Sequence, residues 1–349
     1  MRVGFRTDAS TDSGTGHVMR CLTLAEELRM QGAEVFFMCR RRPGDLVDFI
    51  QQKRFAVYVI TGAAGISWRE DAARSLGILE NVGIVDWLIV DHYDLDARWE
   101  RVLKSSVKRL MVIDDLADRQ HDCHLLLDQN LYPDMDKRYE GLIPDGTVTL
   151  LGPAYTLLRE EFILEAERLS NPNGTVERII VSFGGSDPTN ETLKALKAIL
   201  MLEKQPEVDV VIGKSNPYQT EILAFCKKVK GFHLHIQTNE IARLMQKADI
   251  AIGAGGSSVW ERCYMNLPSI VIETASNQTE IIAFLEEKGA VFNLGKSEKV
   301  RVEDIYKQLQ ELDDDSSIVM QAWKSIREIM KDHERYGVTK YLMGGDHHD

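Results

Sequence analysis

Cysteine is scarce in this chain and carries no pairing pattern. The 349 residues hold five: Cys21, Cys39, Cys123, Cys226 and Cys263. The number is odd, no two form a C-x-x-C pair, and most lie inside apolar runs. That argues against a disulfide framework and against a zinc site. Long hydrophobic runs are absent too. No segment approaches the roughly 20 consecutive apolar residues that cross a bilayer. Met1 to Phe5 enters a strand pattern directly instead of a charged leader. The expectation is a soluble, cytoplasmic protein. Positive charge is in deficit: 42 Lys and Arg stand against 54 Asp and Glu, a formal net charge of −12. This disfavours general nucleic-acid binding and attraction to an anionic membrane. Arg6, Arg20, Arg40, Arg41 and Arg42 could still build a local basic pocket.

Several chemical signatures are missing as well. No glycine-rich loop carries the lysine of a G-x-x-x-x-G-K-[ST] P-loop. Gly14-x-Gly16 lacks the third glycine of the dinucleotide fingerprint, so a dehydrogenase is poorly supported. There is no G-x-S-x-G elbow for esterase chemistry. Asp114-Asp115 has no accompanying ligand set, and His121 and His124 around Cys123 do not match zinc spacing. No metal and no cofactor are expected.

What is present is a repeated alternation of short apolar runs and longer amphipathic stretches, the pattern of stacked βαβ units. Strands are expected at residues 2–5, 35–39, 57–60, 87–91, 110–113 and 125–127, and again at 178–183, 208–212, 232–236, 250–252, 269–272 and 291–292. The runs are continuously apolar, as parallel strands covered on both faces require. A helix is expected over 17–30, with Gly32 behind it as a C-terminal cap. Another is expected over 280–287, and a long terminal one over 317–336. The polar stretch 166–175, with Asn-Pro-Asn-Gly, reads as a linker. The expected fold class is α/β: two doubly wound, Rossmann-like domains at 1–165 and 176–335 with a cleft between them, then a partly disordered tail at 336–349.

In such domains ligands bind at the carboxyl ends of the strands. After the first strand, Gly14-Thr15-Gly16-His17 opens a helix. The helix end directs N–H groups and partial positive charge at the loop, a field that disfavours imidazolium and leaves His17 able to act as a general base. A phosphate-binding loop with a bystander histidine is the alternative. Trp87 to Val90 ends in Asp91-His92-Tyr93, where Tyr93 could contact a sugar ring or simply pack at the rim. In the second half, Gly184-Gly185-Ser186 and Gly255-Gly256-Ser257-Ser258 each follow a strand, which suits backbone approach to phosphate. Ser257 and Ser258 can cap the following helix and offer hydroxyls to a diphosphate. Glu261 shares their helix face and could accept from ribose hydroxyls; the alternative is a solvated carboxylate. Asn277 and Gln278 could bind sugar or phosphate, or cap a helix.

Taken together these segments resemble the UDP-2,4-diacetamido-2,4,6-trideoxy-β-L-altropyranose hydrolase family of pseudaminic acid biosynthesis. That family is related to MurG-like glycosyltransferases of GT-B fold. The matching segments are Gly14-Thr15-Gly16-His17-Val18-Met19-Arg20-Cys21-Leu22, Ile89-Val90-Asp91-His92-Tyr93, Leu158-Arg159-Glu160-Glu161-Phe162, Ser182-Phe183-Gly184-Gly185-Ser186-Asp187, Gly253-Ala254-Gly255-Gly256-Ser257 and Asn277-Gln278. The resemblance implies His17 as the base that activates water, with Gly14, Gly16, Tyr93, Asn277 and Gln278 near the sugar. It implies UDP held by Gly184, Gly185, Ser186, Gly255, Gly256, Ser257, Ser258 and Glu261, a small-molecule UDP-sugar substrate, and no metal. A GT-B glycosyltransferase and a non-catalytic UDP-sugar-binding protein stay open as alternatives.

Overall fold

A computed structural model describes residues 1–10, 14–62, 65–169 and 172–344. The chain divides into two compact units, Met1–Leu157 with His333–Asp349, and Leu158–Asp332.

Among the described residues the first unit builds β1 (Arg2–Thr7), β2 (Glu34–Arg40), β3 (Ala56–Ile60), β4 (Trp87–Asp91), β5 (Arg109–Ile113), β6 (Leu125–Asp128) and β7 (Val148–Leu151). They form one sheet in the order β3-β2-β1-β4-β5-β6-β7, every neighbouring pair parallel. Successive strand residues point to opposite faces, and both faces are covered. Phe5, Ile89, Met111 and Leu125 pack with Leu24 and Leu28 of the helix Gly16–Met30. Leu88, Val90, Leu110 and Val112 pack with Trp99 and Leu103 of the helix Ala97–Lys104. That double burial is why the strands read as unbroken apolar runs. β7 is the strand not expected from the sequence. It lies at the sheet edge with Val148 and Thr149 exposed, so it carries no such run.

The helix Gly16–Met30 ends at Gly32 as expected. Gly32 sits at φ +86°, its N–H donates to the Arg29 carbonyl, and Ala33 N–H donates to the Leu28 carbonyl, both at 3.0 Å. This is a Schellman closure, and its left-handed residue favours glycine.

The second unit builds β8 (Arg178–Ser182), β9 (Glu207–Ile212), β10 (Phe232–Ile236), β11 (Ile250–Ala254), β12 (Ser269–Glu273) and β13 (Val291–Lys296). Their order is β10-β9-β8-β11-β12-β13, again all parallel. In each sheet the strand order reverses beside the first strand, between β1 and β4 and between β8 and β11. Crevices for ligands open at the carboxyl ends there.

The structure divides the chain differently from the linker expected at 166–175. The helix Glu160–Ala166 already belongs to the second unit, because Phe162 is buried against Ala242, Leu244 and Met245. Ser170 and Asn171 lie outside the described residues. The expected terminal helix over 317–336 is interrupted. One helix covers Ser316–Met330, and after Tyr336, at φ +61°, another covers Gly337–Met343. That last helix rejoins the first unit. Val338 and Leu342 enter its core, and Thr339 Oγ1 donates to Glu27 at 2.5 Å. Of the segment expected to be a tail, 345–349 lie outside the described residues. Among the described residues no helix is long and apolar enough to cross a membrane.

Candidate active site

The first unit brings its chemistry to the β1/β4 crevice. β1 runs into a loop closed by two backbone hydrogen bonds between Ser10 and Gly14, at 2.9 and 3.3 Å. Thr11, Asp12 and Ser13 lie outside the described residues. The chain then enters the helix, and His17 is its second residue. Beside it β4 ends in Asp91, in register with Thr7 of β1. Asp91 is fully buried, and its Oδ1 lies 2.5 Å from His17 Nδ1. Arg20 Nη2, itself a donor, lies farther from the same nitrogen at 3.2 Å. The shorter contact is to the carboxylate, which can only accept, so Nδ1 donates to Asp91 and Nε2 is left able to take a proton. The Tyr93 ring packs edge-on against the imidazole, with centroids 4.3 Å apart.

Arg20, one turn along the helix, holds the other side of Asp91. Its Nε donates to Oδ2 at 2.5 Å and its Nη2 to Oδ1 at 2.7 Å, while Nη1 donates to Asp115 at 2.9 Å. Burial opposes the Asp91 charge, but the Arg20 guanidinium and the His17 ring hold its carboxyl well below the usual carboxylate range. The expectation for His17 drew on the field of the helix end; in the structure Asp91 and Arg20 also meet the ring. A buried carboxylate touches the ring directly and fixes its orientation. This is the orienting arrangement seen wherever an acid fixes the tautomer of a catalytic histidine. Beneath the loop, Arg6 is fully buried between Asp8 and Asp71, and Arg40 Nε donates to Asp8 at 2.5 Å. These bonds anchor the start of the segment that delivers His17.

The second unit places its glycine-rich segments at the β8/β11 crevice. Gly184, Gly185 and Ser186 follow β8 and are exposed. Neither Gly184 nor Gly185 has a protein atom within 4 Å of where a Cβ would stand. Gly213, by contrast, is packed so that a Cβ would meet the Gly185 carbonyl oxygen at 2.3 Å. The loop is thus seated from below and open above. Asp187 caps the next helix through the Glu191 and Thr192 N–H groups, both at 2.9 Å.

Gly255, Gly256 and Ser257 lead from β11 into the helix Ser258–Tyr264. The cap expected there does not form. Ser257 makes no side-chain cap, and Ser258 Oγ instead accepts from Arg262 Nη1 at 3.1 Å. Glu261 is not a solvated carboxylate: Arg159 Nε and Nη2 donate to its Oε1 at 3.1 and 2.9 Å. Gln278 is turned into the protein. Its Oε1 accepts from Thr274 N–H at 2.9 Å, and its amide nitrogen borders Gly256. It ties the loop after β12 to the glycine-rich loop after β11. Asn277 beside it is exposed.

The structure therefore gathers His17, Gly14, Gly16 and Tyr93 at one crevice, and the expected UDP residues with Gln278 at another. Asp91, Arg20, Arg159 and Arg262 are the partners that sequence reasoning missed. Asp91 had a signal, since a charged residue ending a buried strand must be paired. Among the described residues no group of three or more His, Cys, Asp or Glu is placed to hold a metal ion.

Residues 179–335 match the glycosyltransferase family 28 C-terminal domain. Nearly all of that match lies in the second unit. The glycine-rich loops and Glu261 all fall inside the family 28 match, whereas His17 and Asp91 lie outside it. Along most of its length the chain is similar to the UDP-2,4-diacetamido-2,4,6-trideoxy-beta-L-altropyranose hydrolase of Campylobacter jejuni subsp. jejuni serotype O:2. The two are 29% identical over 291 residues, 83% of this chain and 97% of that protein. It is also similar to the uncharacterized protein MJ1062 of Methanocaldococcus jannaschii, 25% identical over 288 residues. That match takes in 80% of this chain but only 57% of that protein, so this chain spans little more than half of that relative. Among solved structures, MurG of Acinetobacter baumannii superposes with a TM-score of 0.66 over 98% of both chains at 13% identity. That likeness is one of fold: two Rossmann-like domains of the GT-B class.

Proposed function

We propose that this protein hydrolyses a UDP-linked 2,4-diacetamido-2,4,6-trideoxy sugar to UDP and the free sugar, a step of pseudaminic acid biosynthesis. The observation that carries the reading is the His17–Asp91 pair. A base with a fixed tautomer, delivered by a glycine-bounded loop, is what water activation asks for. The Campylobacter relative, whose name states that hydrolysis, supports it. In this reading Nε2 of His17 removes a proton from water, the water oxygen bonds to the anomeric carbon, and the bond from that carbon to the UDP oxygen breaks. UDP leaves as an anion, stabilised by N–H groups of the Gly184–Gly185 and Gly255–Gly256 loops. Glu261 accepts from the ribose hydroxyls, Tyr93 and Asn277 contact the sugar, and Gln278, bonded to Thr274, holds the loop that carries Asn277.

The same reading makes the reaction metal-independent and cytoplasmic, with no nucleic-acid partner, in keeping with the net charge of −12. A second reading is favoured by the family 28 domain and the MurG-like fold: a glycosyltransferase in which a hydroxyl acceptor replaces water. One experiment separates the two. Incubation with the UDP-sugar alone, followed by NMR, should release UDP and free sugar together, and His17→Ala should abolish that release with UDP affinity retained. Absence of turnover until an acceptor is added would favour the transferase.

A further inference from the structure

Arg262 is the second-unit residue whose surroundings do not account for its charge. It lies in the helix Ser258–Tyr264 at 1% exposure. The guanidinium has five N–H donors in a fixed fork and stays protonated in proteins. Here Nη2 donates to the Ala254 carbonyl at 2.7 Å and Nη1 to Ser258 Oγ at 3.1 Å, while the buried Nε has no partner. Among the described residues no carboxylate forms an ion pair with it. Its sequence neighbour Glu261 is taken by Arg159 instead. The other deeply buried arginines behave differently. Arg6 has Asp8 and Asp71, and Arg20 has Asp91 and Asp115. Burial lowers the Arg262 pKa to about 10, opposed only weakly by Cys263 and Glu261, so the group remains a cation at neutral pH.

An unmatched buried charge is costly, and proteins ordinarily pair it or omit it. This one is not placed at random. Its two bonds go to the last residue of β11 and to the first residue of the following helix, bracketing Gly255, Gly256 and Ser257. Gly253 is kept bare beneath it, since a Cβ there would stand 2.9 Å from Nη1. We propose that Arg262 is the fixed positive charge of the diphosphate subsite: it orders the β11 loop through Ala254 and Ser258, and the pyrophosphate of a bound nucleoside diphosphate supplies the missing counter-charge. It is a positioning residue, acting on the ligand through the loop and through a field that low-dielectric surroundings screen weakly. The inference rests on the reading of this crevice as a UDP site and adds the source of its anion preference.

The test is the ratio of UDP to uridine affinity, measured by calorimetry on the full chain. Neutral variants Arg262→Met and Arg262→Gln should fold, with thermal midpoints at or above that of the parent, because they remove an uncompensated charge. Uridine affinity should stay at the parent value, while UDP affinity falls about tenfold or more, equivalent to about 1.4 kcal/mol or more. Arg262→Lys should keep most of the ratio. A folded neutral variant with the parent ratio overturns the proposal. So does loss of the fold in both neutral variants, which would make the charge a structural need of the unliganded protein. If the parent protein binds neither UDP nor uridine, the reading of the crevice falls and this inference with it. Parent binding with an unchanged ratio in the variants removes only the role of Arg262.

Discussion

Asp91 holds the Nδ1 side of the His17 ring at 2.5 Å while its other oxygen is bound by Arg20 Nε, also at 2.5 Å. One buried carboxylate thus sets both the tautomer of the histidine and the position of the helix turn that carries it. The strand end and the helix start are locked together at Nδ1, which leaves Nε2 as the nitrogen where a proton would be taken.

Replacing Asp91 by Asn should therefore damage catalysis more than structure. The amide would present an N–H to Nδ1 and move the ring proton to Nε2, the wrong nitrogen for a base. The turnover number should fall roughly 10²- to 10⁴-fold, with UDP affinity near the parent value. Steady-state kinetics and UDP calorimetry on Asp91→Asn check this, and turnover within a few-fold of the parent would remove Asp91 from the mechanism.

This pair also marks how far sequence reasoning reaches. The parallel sheets were legible because doubly buried strands must be apolar throughout, and the place of His17 at the start of a helix after a strand was legible from its flanking glycines. Its partner was harder to find. Asp91 lies 74 positions away, and only the β1–β4 pairing brings the two together. β7 was silent because an edge strand with exposed Val148 and Thr149 needs no apolar run. The Ser257 cap was a sound inference from residue type, yet Arg262 reached Ser258 from the next turn, a long-side-chain contact that no local pattern announces. The return of Gly337–Met343 to the first unit rests on Thr339 meeting Glu27, two residues 312 positions apart.

Two glycines of the second unit should separate binding from stability. Gly185 has no neighbour where a Cβ would stand, so Gly185→Ala should change stability by less than about 0.5 kcal/mol, like an ordinary surface substitution. Its methyl would point into the space where we place the ligand, and UDP affinity should drop. At Gly253 a Cβ would stand 2.5 Å from the Ser182 carbonyl oxygen. Gly253→Ala should therefore cost about 1–3 kcal/mol through forced backbone shifts. Thermal melts with and without UDP read both effects. A Gly185→Ala protein with unaltered UDP affinity would argue against phosphate approach at this loop.

Glu261 offers a test of ribose recognition that is independent of turnover. If its carboxylate accepts from the ribose hydroxyls, Glu261→Gln should weaken UDP by about 1.5–3 kcal/mol, the range for hydrogen bonds to a charged group. The parent protein should bind 2′,3′-dideoxy-UDP less tightly than UDP, and the variant should scarcely distinguish them. Equal discrimination in parent and variant would leave Glu261 as the Arg159 partner alone.

The docking of the terminal helix should be pH-dependent, and the sign follows from Glu27. Burial raises its carboxyl from an ordinary 4.5 to about 7, against the opposing hydrogen bond from Thr339. A raised acid means that the folded state binds the proton more tightly than the unfolded one. The contribution is fully present below about pH 4.5 and is lost as pH rises through about 7. At about 1.4 kcal/mol per unit, the loss by pH 8 is on the order of 3 kcal/mol at most. Glu27→Gln keeps an oxygen for Thr339 to donate to and has no charge to bury. It should be more stable than the parent at pH 8, indistinguishable from it near pH 4, and flatter between. Urea unfolding across that range measures the difference. A parent and variant with parallel pH profiles would show that Glu27 does not carry its proton into the folded state.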